Sequence, residues 1–469
     1  MLRDSRYFIG IDIGASFIKG ALFDLQKLAV TNIIKFSSPA LKSRKNLRFE
    51  INCDLHEKSV KKIINNLLIK QRDISGITFC TQMHGMVLVD EKLNQLTPFI
   101  GWQDGRLHKK ATGNKTWFDV LRGKLRNIEL SNTGIKYRSG LMGSTLFWLS
   151  ESRFLKKNGK AKALFLGDYI AAKISNGKTL VDSTNACGSG LFNTKKNIWN
   201  EKILKALKID KSYLPNIVPT GSVVGYLKKS DKKIPVFVST GDLQTAVLGS
   251  QIGLKKEKDF CINIGTGSQI SCVSDNFSVG DYDIRSYFDN TFLNTIAFIP
   301  AGRALNVIIK FIEDIEDRIY EKKNPDVWEK IVKLISDKKT SEGIVANVSY
   351  YENSISKTGG SFENVLESNW SIENIFFSVL EGMTENYWKA YRRLEKSEKK
   401  YRIVCAGGLI RKLERLRFLL EGKFKRKIYL SRYEEETLTG LFILSLVYSG
   451  SFSTVKDASL FVQKNRLKF

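Results

Sequence analysis

The chain has 469 residues, of which 42% are hydrophobic, so it can bury more than one core and form about two to three domains. Its formal charge of +27 comes from lysines and arginines spread along the whole chain, without a known nucleic-acid-binding motif. We therefore interpret the charge as solvated surface, and nucleic-acid binding is a distant alternative. No secretory signal is visible, and the most apolar late stretch, 438–448, is too short to cross a bilayer, so we expect a cytoplasmic protein without a membrane partner.

The six cysteines are scattered without CxxC pairs, and several lie inside apolar strands, where cysteine behaves as a small hydrophobic residue. We expect a reducing compartment and no structural metal. The pairs Cys53 with His56 and Cys80 with His84 leave a zinc site as an alternative, although their spacing matches no usual zinc pattern.

A repeated strand-turn-strand pattern occurs once in each half of the chain. Residues 7–24 predict a hairpin with a Gly-Ala-Ser turn, and residues 260–275 predict a second hairpin with a Gly-Thr-Gly-Ser turn. Glycine allows the backbone to approach a ligand closely, and successive N–H groups in such a turn form an anion site. The duplication favours a polyphosphate clamp over two ordinary hairpins, and the turn residues are Gly14, Ala15, Ser16, Gly265, Thr266, Gly267 and Ser268.

Two polar segments follow in the first half. An amphipathic helix over 54–70 and a short strand over 77–80 precede Met83 and His84, and an apolar strand ending at Ile100 precedes the segment from Gly101 to Arg106. Ligand residues often follow strands in layered α/β folds. The second segment combines an indole with polar groups suited to a sugar, namely Trp102, Asp104 and Arg106. The alternative is a surface loop with a buried tryptophan and an Asp–Arg pair.

The segment 235–250 predicts a buried strand, a break of small residues and an apolar helix that begins at Asp242. A carboxylate in that place can cap the helix. Its position between the two glycine-rich hairpins favours a functional role instead.

The second half continues with predicted sheet over 283–299 and helices over 304–320 and 326–336. The polar loop 350–363 has no assignable role. The clearest helix of the chain spans 372–394, and it leads to a strand over 402–405 and to a turn that contains Gly407 and Gly408.

The duplicated hairpins around a central Gly-Asp resemble the FGGY family of carbohydrate kinases, and the resemblance covers nearly the whole chain. It implies an α/β fold of two actin-like (ribonuclease-H-like) domains with a cleft between them, here 1–249 and 250–469. It also implies that ATP and Mg²⁺ are the cofactors. The MHG, WQDGR and GDLQ segments are most similar to sedoheptulokinases and next to xylulokinases. The expected acceptor is therefore a ketose, sedoheptulose before xylulose, and a homodimer is a further option.

The resemblance also implies roles for individual residues. Asp242 would be the base that receives the proton of the acceptor hydroxyl, and Asp12 would hold Mg²⁺ through its water shell. Lys19 and the two glycine-rich turns would neutralise the phosphates, and Gly407 and Gly408 would receive the adenosine. The sugar pocket would be lined by Met83, His84, Trp102, Asp104, Arg106 and Gln244.

Three positions depart from the family pattern, namely Phe17 in the first phosphate turn, Ala406 before the adenosine glycines and the segment 409–412 after them. They bear on nucleotide preference more than on the reaction. Two other classes stay open: an actin-like ATPase or chaperone, and a non-catalytic sugar or nucleotide sensor. The first has no use for MHG and WQDGR, and the departures at Phe17 and Ala406 favour the second. Asp242 in its full GDLQ segment argues against both.

Overall fold

The computed structural model describes residues 6–39, 47–71, 73–157, 160–229, 232–254, 258–265, 267–321 and 326–469. Thr266 of the second predicted phosphate turn lies outside these residues. The strands in chain order are β1 (Tyr7–Ile13), β2 (Phe17–Asp24), β3 (Ala29–Ser37), β4 (Glu50–Ile51), β5 (Ile74–Thr81), β6 (Val87–Val89), β7 (Phe99–Ile100), β8 (Lys110–Thr112), β9 (Lys115–Thr116), β10 (Lys162–Leu164), β11 (Leu180–Asp182), β12 (Phe192–Asn193), β13 (Ile198–Trp199), β14 (Asn216–Val218), β15 (Val223–Lys229), β16 (Lys232–Phe237), β17 (Thr240–Gly241), β18 (Asp259–Ile264), β19 (Ser268–Ser274), β20 (Asp283–Ser286), β21 (Phe292–Ile299), β22 (Val345–Asn347), β23 (Ser361–Glu363), β24 (Arg402–Ala406) and β25 (Ile428–Leu430).

The α-helices in chain order are α1 (Cys53–Lys70), α2 (Trp117–Leu125), α3 (Met142–Glu151), α4 (Phe154–Lys157), α5 (Leu166–Ser175), α6 (Ser183–Ala186), α7 (Glu201–Leu207), α8 (Asp242–Gly249), α9 (Gly302–Ile319), α10 (Val327–Leu334), α11 (Ile372–Leu394), α12 (Gly408–Lys412), α13 (Glu414–Phe424), α14 (Glu436–Tyr448) and α15 (Val455–Asn465). No helix of the described residues is long and apolar enough to span a membrane.

The first sheet has the order β15-β16-β5-β1-β2-β3, and β17 also pairs with β5. Strand β1 is antiparallel to β2 and parallel to β5. The register places Asp12 of β1 opposite Cys80 of β5, and Cys80 opposite Thr240 of β17. These three residues therefore form one row at the carboxyl edge of the sheet, where Asp242 follows two residues after Thr240.

The second sheet repeats the central part of the first. Its order is β20-β21-β19-β18-β24-β25, with β18 antiparallel to β19 and parallel to β24. The predicted duplication of the hairpin is confirmed, because β1-β2 and β18-β19 occupy equivalent places beside a parallel strand. The predicted helix over 372–394 has the same bounds as α11.

Helices α8 and α14 pack against each other at two glycines, each of which lies directly against the backbone of the other helix. A Cβ atom at Gly440 would lie 2.0 Å from the carbonyl oxygen of Thr245, and one at Gly249 would lie 1.9 Å from that of Glu436. Such distances leave no room for any side chain at either position. Helix α14 is buried from Leu438 to Leu446. Its apolar side chains share one hydrophobic core with residues of β1 and β2, such as Phe8 and Phe23.

The C-terminal segment also contacts the first sheet. The backbone N–H of Val30 donates to the carbonyl of Lys468 at 2.8 Å, and the N–H of Lys468 donates to the carbonyl of Leu28 at 2.8 Å. Residues after 435 thus pack mainly on elements from the first half of the sequence. The predicted division at residue 249 falls between α8 and β18, in the connection between the two sheets, and it stays a prediction.

We expect Gly440→Ala to lower the free energy of unfolding by about 1–3 kcal/mol, because the added methyl group forces α14 away from α8. The matched control is Gly422→Ala in α13, where a Cβ would meet no atom within 4 Å. That substitution should leave stability unchanged or raise it by up to about 1 kcal/mol through helix propensity. Chemical denaturation of both variants measures the two effects, and equal effects would contradict the close crossing.

Candidate active site

Two carboxylates lie at the carboxyl edge of the first sheet. Asp12 accepts a hydrogen bond from the Thr437 hydroxyl at 2.7 Å through Oδ2 and a contact from the Cys80 thiol at 3.5 Å through Oδ1. Burial raises its pKa. Asp242 is the first residue of α8, and burial together with the charge of Asp12 raises its pKa to about 7. A carboxylate with that pKa is half ionised at neutral pH and can accept a proton.

The first glycine-rich turn joins β1 to β2. The N–H of Gly14 donates to the carbonyl of Phe17 at 3.0 Å, and the Ser38 hydroxyl donates to the carbonyl of Gly14 at 2.7 Å. Ala15, Ser16 and Phe17 are exposed. The ammonium group of Lys35 lies 3.8 Å from the centre of the Phe17 ring. Phe17, one of the departures from the family pattern, therefore packs against a cation at the outside of the turn.

The second glycine-rich turn has an additional neighbour that the sequence did not indicate. The N–H of Gly265 donates to the carbonyl of Gly267 at 3.1 Å, and the Ser268 hydroxyl donates to the carbonyl of Asn263. The N–H of Gly302, the first residue of α9, donates to the carbonyl of Gly265 at 3.1 Å. The N-terminus of an 18-residue helix thus lies beside this turn, and free N–H groups in such a place favour anions.

Lys19 forms an ion pair across the two halves of the chain. Its ammonium group contacts the carboxylate of Glu435, and the Lys19 side chain is 20% exposed. Together with the bond from Thr437 to Asp12, this pair connects the residues at the start of α14 to β1 and β2. The predicted role of Lys19 in neutralising phosphate stays a prediction, and such a role would require it to share its charge with Glu435.

The predicted adenosine turn follows β24. Gly407 has a φ angle of +93°, and a Cβ there would lie 2.5 Å from the carbonyl oxygen of Ile264, so only glycine fits. Its N–H donates to the Glu436 carboxylate at 3.1 Å. A Cβ at Gly408 would meet no atom within 4 Å. Arg411 belongs to segment 409–412, which differs from the family pattern. It donates to the carbonyls of Ser431 and Tyr433 and so supports the chain that leads into α14.

Met83 and His84 lie together below α8. His84 Nδ1 bonds the carbonyl of Gly188 at 2.8 Å, so Nδ1 carries the proton and Nε2 is left as an acceptor. Burial, with the charge of Arg285, lowers the pKa of His84 to about 3. His84 also has a φ angle of +77°, which is unfavourable for a residue with a side chain. The ring is therefore a neutral, fixed hydrogen-bonding group.

The predicted sugar residues Trp102, Asp104 and Arg106 have different surroundings. Trp102 is half-buried, with its ring centre 5.6 Å from that of Phe298. The Arg106 guanidinium is 3% exposed and donates to both oxygens of Asp104, at 2.7 and 3.0 Å, and to Glu50 at 2.7 Å. Asp104 and Arg106 thus form the buried Asp–Arg pair of the alternative interpretation. Their role toward a sugar stays a prediction.

Gln244 ties the two halves together. Its amide nitrogen donates to the carbonyl of Thr184 at 3.0 Å and to that of Ser286 at 3.2 Å. The amide oxygen is buried and has no hydrogen-bond partner among the described residues. Among the polar atoms of the side chain, this oxygen alone lacks a partner within the described part of the chain, and its predicted contact with the sugar stays a prediction.

Sequence reasoning missed three groups at the site. Thr437 and Glu435 precede or begin an apolar helix, where polar residues are expected as ordinary caps. Arg285 lies in β20, is 2% exposed, and places Nη1 3.5 Å from the Met83 sulfur. A single arginine in a predicted strand carries no signal of its own, because its burial depends on packing between distant segments.

The donor set fits Mg²⁺ with ATP. The described residues contain no group of three or more His, Cys, Asp or Glu side chains arranged to hold a metal. Magnesium usually keeps several waters and takes only one or two carboxylates together with substrate phosphates. Asp12, buried beside a second carboxylate and two glycine-rich turns, offers that kind of partial site.

The fold belongs to the class of two-domain, actin-like phosphotransferases. A solved structure of a ligand-bound xylulose kinase from Lactobacillus acidophilus superimposes with a TM-score of 0.81 at 20% identity, over 97% of this chain and 92% of that one. Residues 7–249 match the N-terminal domain of the FGGY family of carbohydrate kinases. The chain belongs to this family, whose members are ATP-dependent phosphotransferases acting on sugar hydroxyls.

Curated relatives carry several substrate names. A xylulose kinase of Lactococcus lactis is 26% identical over 318 residues, which are 64% of this chain and 60% of the relative. The sedoheptulokinase of Mus musculus is 21% identical over 421 residues, 81% of this chain and 84% of that protein. The chain thus spans about 60% of the length of the Lactococcus kinase that it matches. The expected family and fold are confirmed, and the acceptor is not decided at this level of identity.

We expect the difference in free energy of unfolding between wild type and His84→Gln to decrease as the pH falls from 7 to 5.5. The folded-state pKa of His84 is lowered to about 3, so below its unfolded value the unfolded chain binds a proton that the folded chain does not. With an unfolded-state pKa of about 6.5, wild type should lose about 1.2 kcal/mol in total over that window, and the variant lacks this loss. Denaturation at several pH values measures it. His108→Gln, at an exposed histidine, controls for the substitution, and a constant difference for His84→Gln would refute the buried neutral ring.

Proposed function

We propose that this kinase transfers the γ-phosphoryl group of ATP to the terminal hydroxyl of a ketose, with Asp242 as the general base. The observation that carries the proposal is the place of Asp242, which begins α8 at the carboxyl edge of the first sheet near Asp12. Burial and the charge of Asp12 raise its pKa to about 7. A base with a pKa near the working pH is ionised often enough to act and basic enough to accept the proton.

The residues around Asp242 support distinct tasks. The carboxylate would take the proton of the attacking hydroxyl, and the remaining N–H groups of the two glycine-rich turns, the second of which lies beside the N-terminus of α9, would bind the phosphate oxygens. ATP supplies the phosphoryl group, and Mg²⁺ held by Asp12 through water would neutralise its charge. Gly408, where a Cβ would meet no atom within 4 Å, offers open backbone for the adenosine, and Gly407 with its positive φ forms the turn before it.

The acceptor side supports a sugar. Trp102 and Phe298 present aromatic faces for C–H groups, and His84 Nε2 and Gln244 Oε1 are acceptors for hydroxyl groups. Sedoheptulose is the first expectation, from the GDLQ segment and from the long match to the mouse sedoheptulokinase. Xylulose is the second, from the Lactococcus kinase. We further propose a division into domains at residues 1–249 and 250–469.

ADP release in the presence of ATP and Mg²⁺ tests the proposal. It is measured with sedoheptulose, xylulose, ribulose, fructose and glycerol, against a blank without sugar.

Asp242→Asn should lower kcat by about 10²- to 10⁴-fold while sugar binding, measured by calorimetry, stays near normal. In wild type, kcat/KM should rise with pH through about 7 and level off above it, because the ionised form of Asp242 is the active one. In the sugar panel, equal ADP release in every well would indicate an ATPase, and sugar binding without ADP release would indicate a sensor.

Trp102→Ala should raise KM for the sugar more than it changes kcat, because the indole contributes apolar contact in the ground state and the transition state alike. Initial rates at varied sugar and saturating ATP give the two constants. Trp117→Ala is the control, since Trp117 packs on Phe147, and its ring is not among those that pack on Phe298. An unchanged KM in Trp102→Ala would place the sugar elsewhere.

A further inference from the structure

A cavity of about 330 Å³ lies beside Trp102, on the side where the acceptor is expected. Residues from both halves of the sequence line it, and the lining segment 351–354 belongs to the polar loop 350–363, which had no assignable role. Two arginines reach this cavity, Arg138 from the first half and Arg303 from α9.

Each of these arginines is stacked on an aromatic ring. The guanidinium carbon of Arg138 lies 4.2 Å from the centre of the Phe298 ring, and that of Arg303 lies 4.0 Å from the centre of the Tyr351 ring. Stacking fixes the plane of a guanidinium group and leaves its N–H edge free to bind. Phe298 itself has a φ angle of +59°, an unfavourable conformation for a residue with a side chain.

A third arginine is buried at the inner end of the same region. Arg285 is 2% exposed, and its Nη2 lies 3.5 Å from Asp283 Oδ2, an oxygen that Arg138 also contacts at 3.2 Å. Its Nε–H has no hydrogen-bond partner among the described residues. A buried cation with an open donor and only a distant, shared carboxylate is costly unless a ligand completes its shell.

Carboxylates are unevenly distributed among these arginines. Asp283 contacts Arg138 at 3.2 Å and Arg285 at 3.5 Å, and Glu352 lines the cavity with Arg138 and Arg303. Asp104 lines it as well, but its carboxylate is already paired with Arg106. The charge of Arg285 acts on both His84 and Asp242, so this arginine lies on the side where the acceptor is expected.

We propose that the acceptor of this kinase carries an anionic group, a carboxylate or a phosphate, and that Arg138, Arg285 and Arg303 bind it. The inference rests on the proposed phosphoryl transfer to a terminal hydroxyl, and it replaces the neutral ketoses expected from the GDLQ segment with an acceptor that carries a charge. The reacting hydroxyl lies at Asp242, and the anionic end extends past Arg285 toward Trp102 and the cavity. The unassigned loop then closes the outer end of the acceptor site through Tyr351.

Matched pairs of acceptors test the proposal. D-gluconate is compared with D-glucitol, and fructose 1-phosphate with fructose, because each pair differs in the anionic group and keeps a free terminal hydroxyl. The anionic member of at least one pair should have a kcat/KM about ten- to hundredfold higher, the range expected for charge-assisted hydrogen bonds. Preference in only the first pair identifies a sugar acid, and preference in only the second identifies a sugar phosphate.

Variants connect that preference to the arginines. Arg303→Gln, at an exposed position that should not disturb folding, and Arg285→Met should each reduce the ratio of anionic to neutral kcat/KM while KM for ATP stays constant. Arg402→Gln is the control, because Arg402 is also stacked, 5.4 Å from the Tyr429 ring, but lies at the start of β24. An unchanged ratio in Arg303→Gln and Arg285→Met would overturn the assignment.

Failure of this inference differs from failure of the proposed function. If neutral ketoses are phosphorylated as well as or better than both anionic probes, the kinase assignment stands and the anionic acceptor is wrong. If neither the neutral nor the anionic sugars release ADP above the blank, the kinase assignment is wrong and this inference falls with it.

Discussion

Helices α8 and α14 pack backbone to backbone at Gly249 and Gly440, and this contact holds together two segments that carry central groups of the site. Neither glycine has a side chain, and carbonyl oxygens lie about 2 Å from where a Cβ atom would stand. The contacts Thr245–Gly440 and Gly249–Glu436 run in opposite directions along the two helices, so the helices are antiparallel. One carries Asp242, and the other brings Glu435 to Lys19 and Thr437 to Asp12.

This arrangement separates charge across the site. The two carboxylates, Asp12 and Asp242, lie in the centre, and burial raises the pKa of each. In the proposed reaction, the glycine-rich turns would bind phosphate on one side of these carboxylates, and Arg285, whose charge acts on Asp242, would lie toward the acceptor on the other. Fixed donors on both sides of a developing charge would need no rearrangement during that reaction, which is the main source of catalysis in phosphoryl transfer.

The sequence predicted those parts of the site that depend on local pattern. The glycine turns between apolar strands, the strand-to-helix turn at Asp242 and the stripe of α11 are all set by neighbouring residues, and the structure contains each of them. Parts that depend on contacts between distant segments were not predicted. Arg285 is one of 75 lysines and arginines, and only pairing of β20 with β21 and packing against Met83 distinguish it from a surface cation.

The same limit explains the residues whose surroundings differ from expectation. Asp104 and Arg106 were expected to face a sugar, yet their charges are satisfied by each other and by Glu50, which the sequence places 54 and 56 residues away. Lys19 was expected to face phosphate, and it meets Glu435 from the other end of the chain. In both cases the residue type was informative, and its partner was not visible in the local pattern.

The pairing of Lys468 with β3 affects how the chain is made. The first sheet is translated long before the helix that fills its core, α14, and before the strand-like segment that extends its edge. Until these segments are made, the apolar face around Phe23 lacks its cover. A nascent chain of this protein therefore carries an incomplete first sheet in the meantime, a period in which chaperones bind exposed apolar surface.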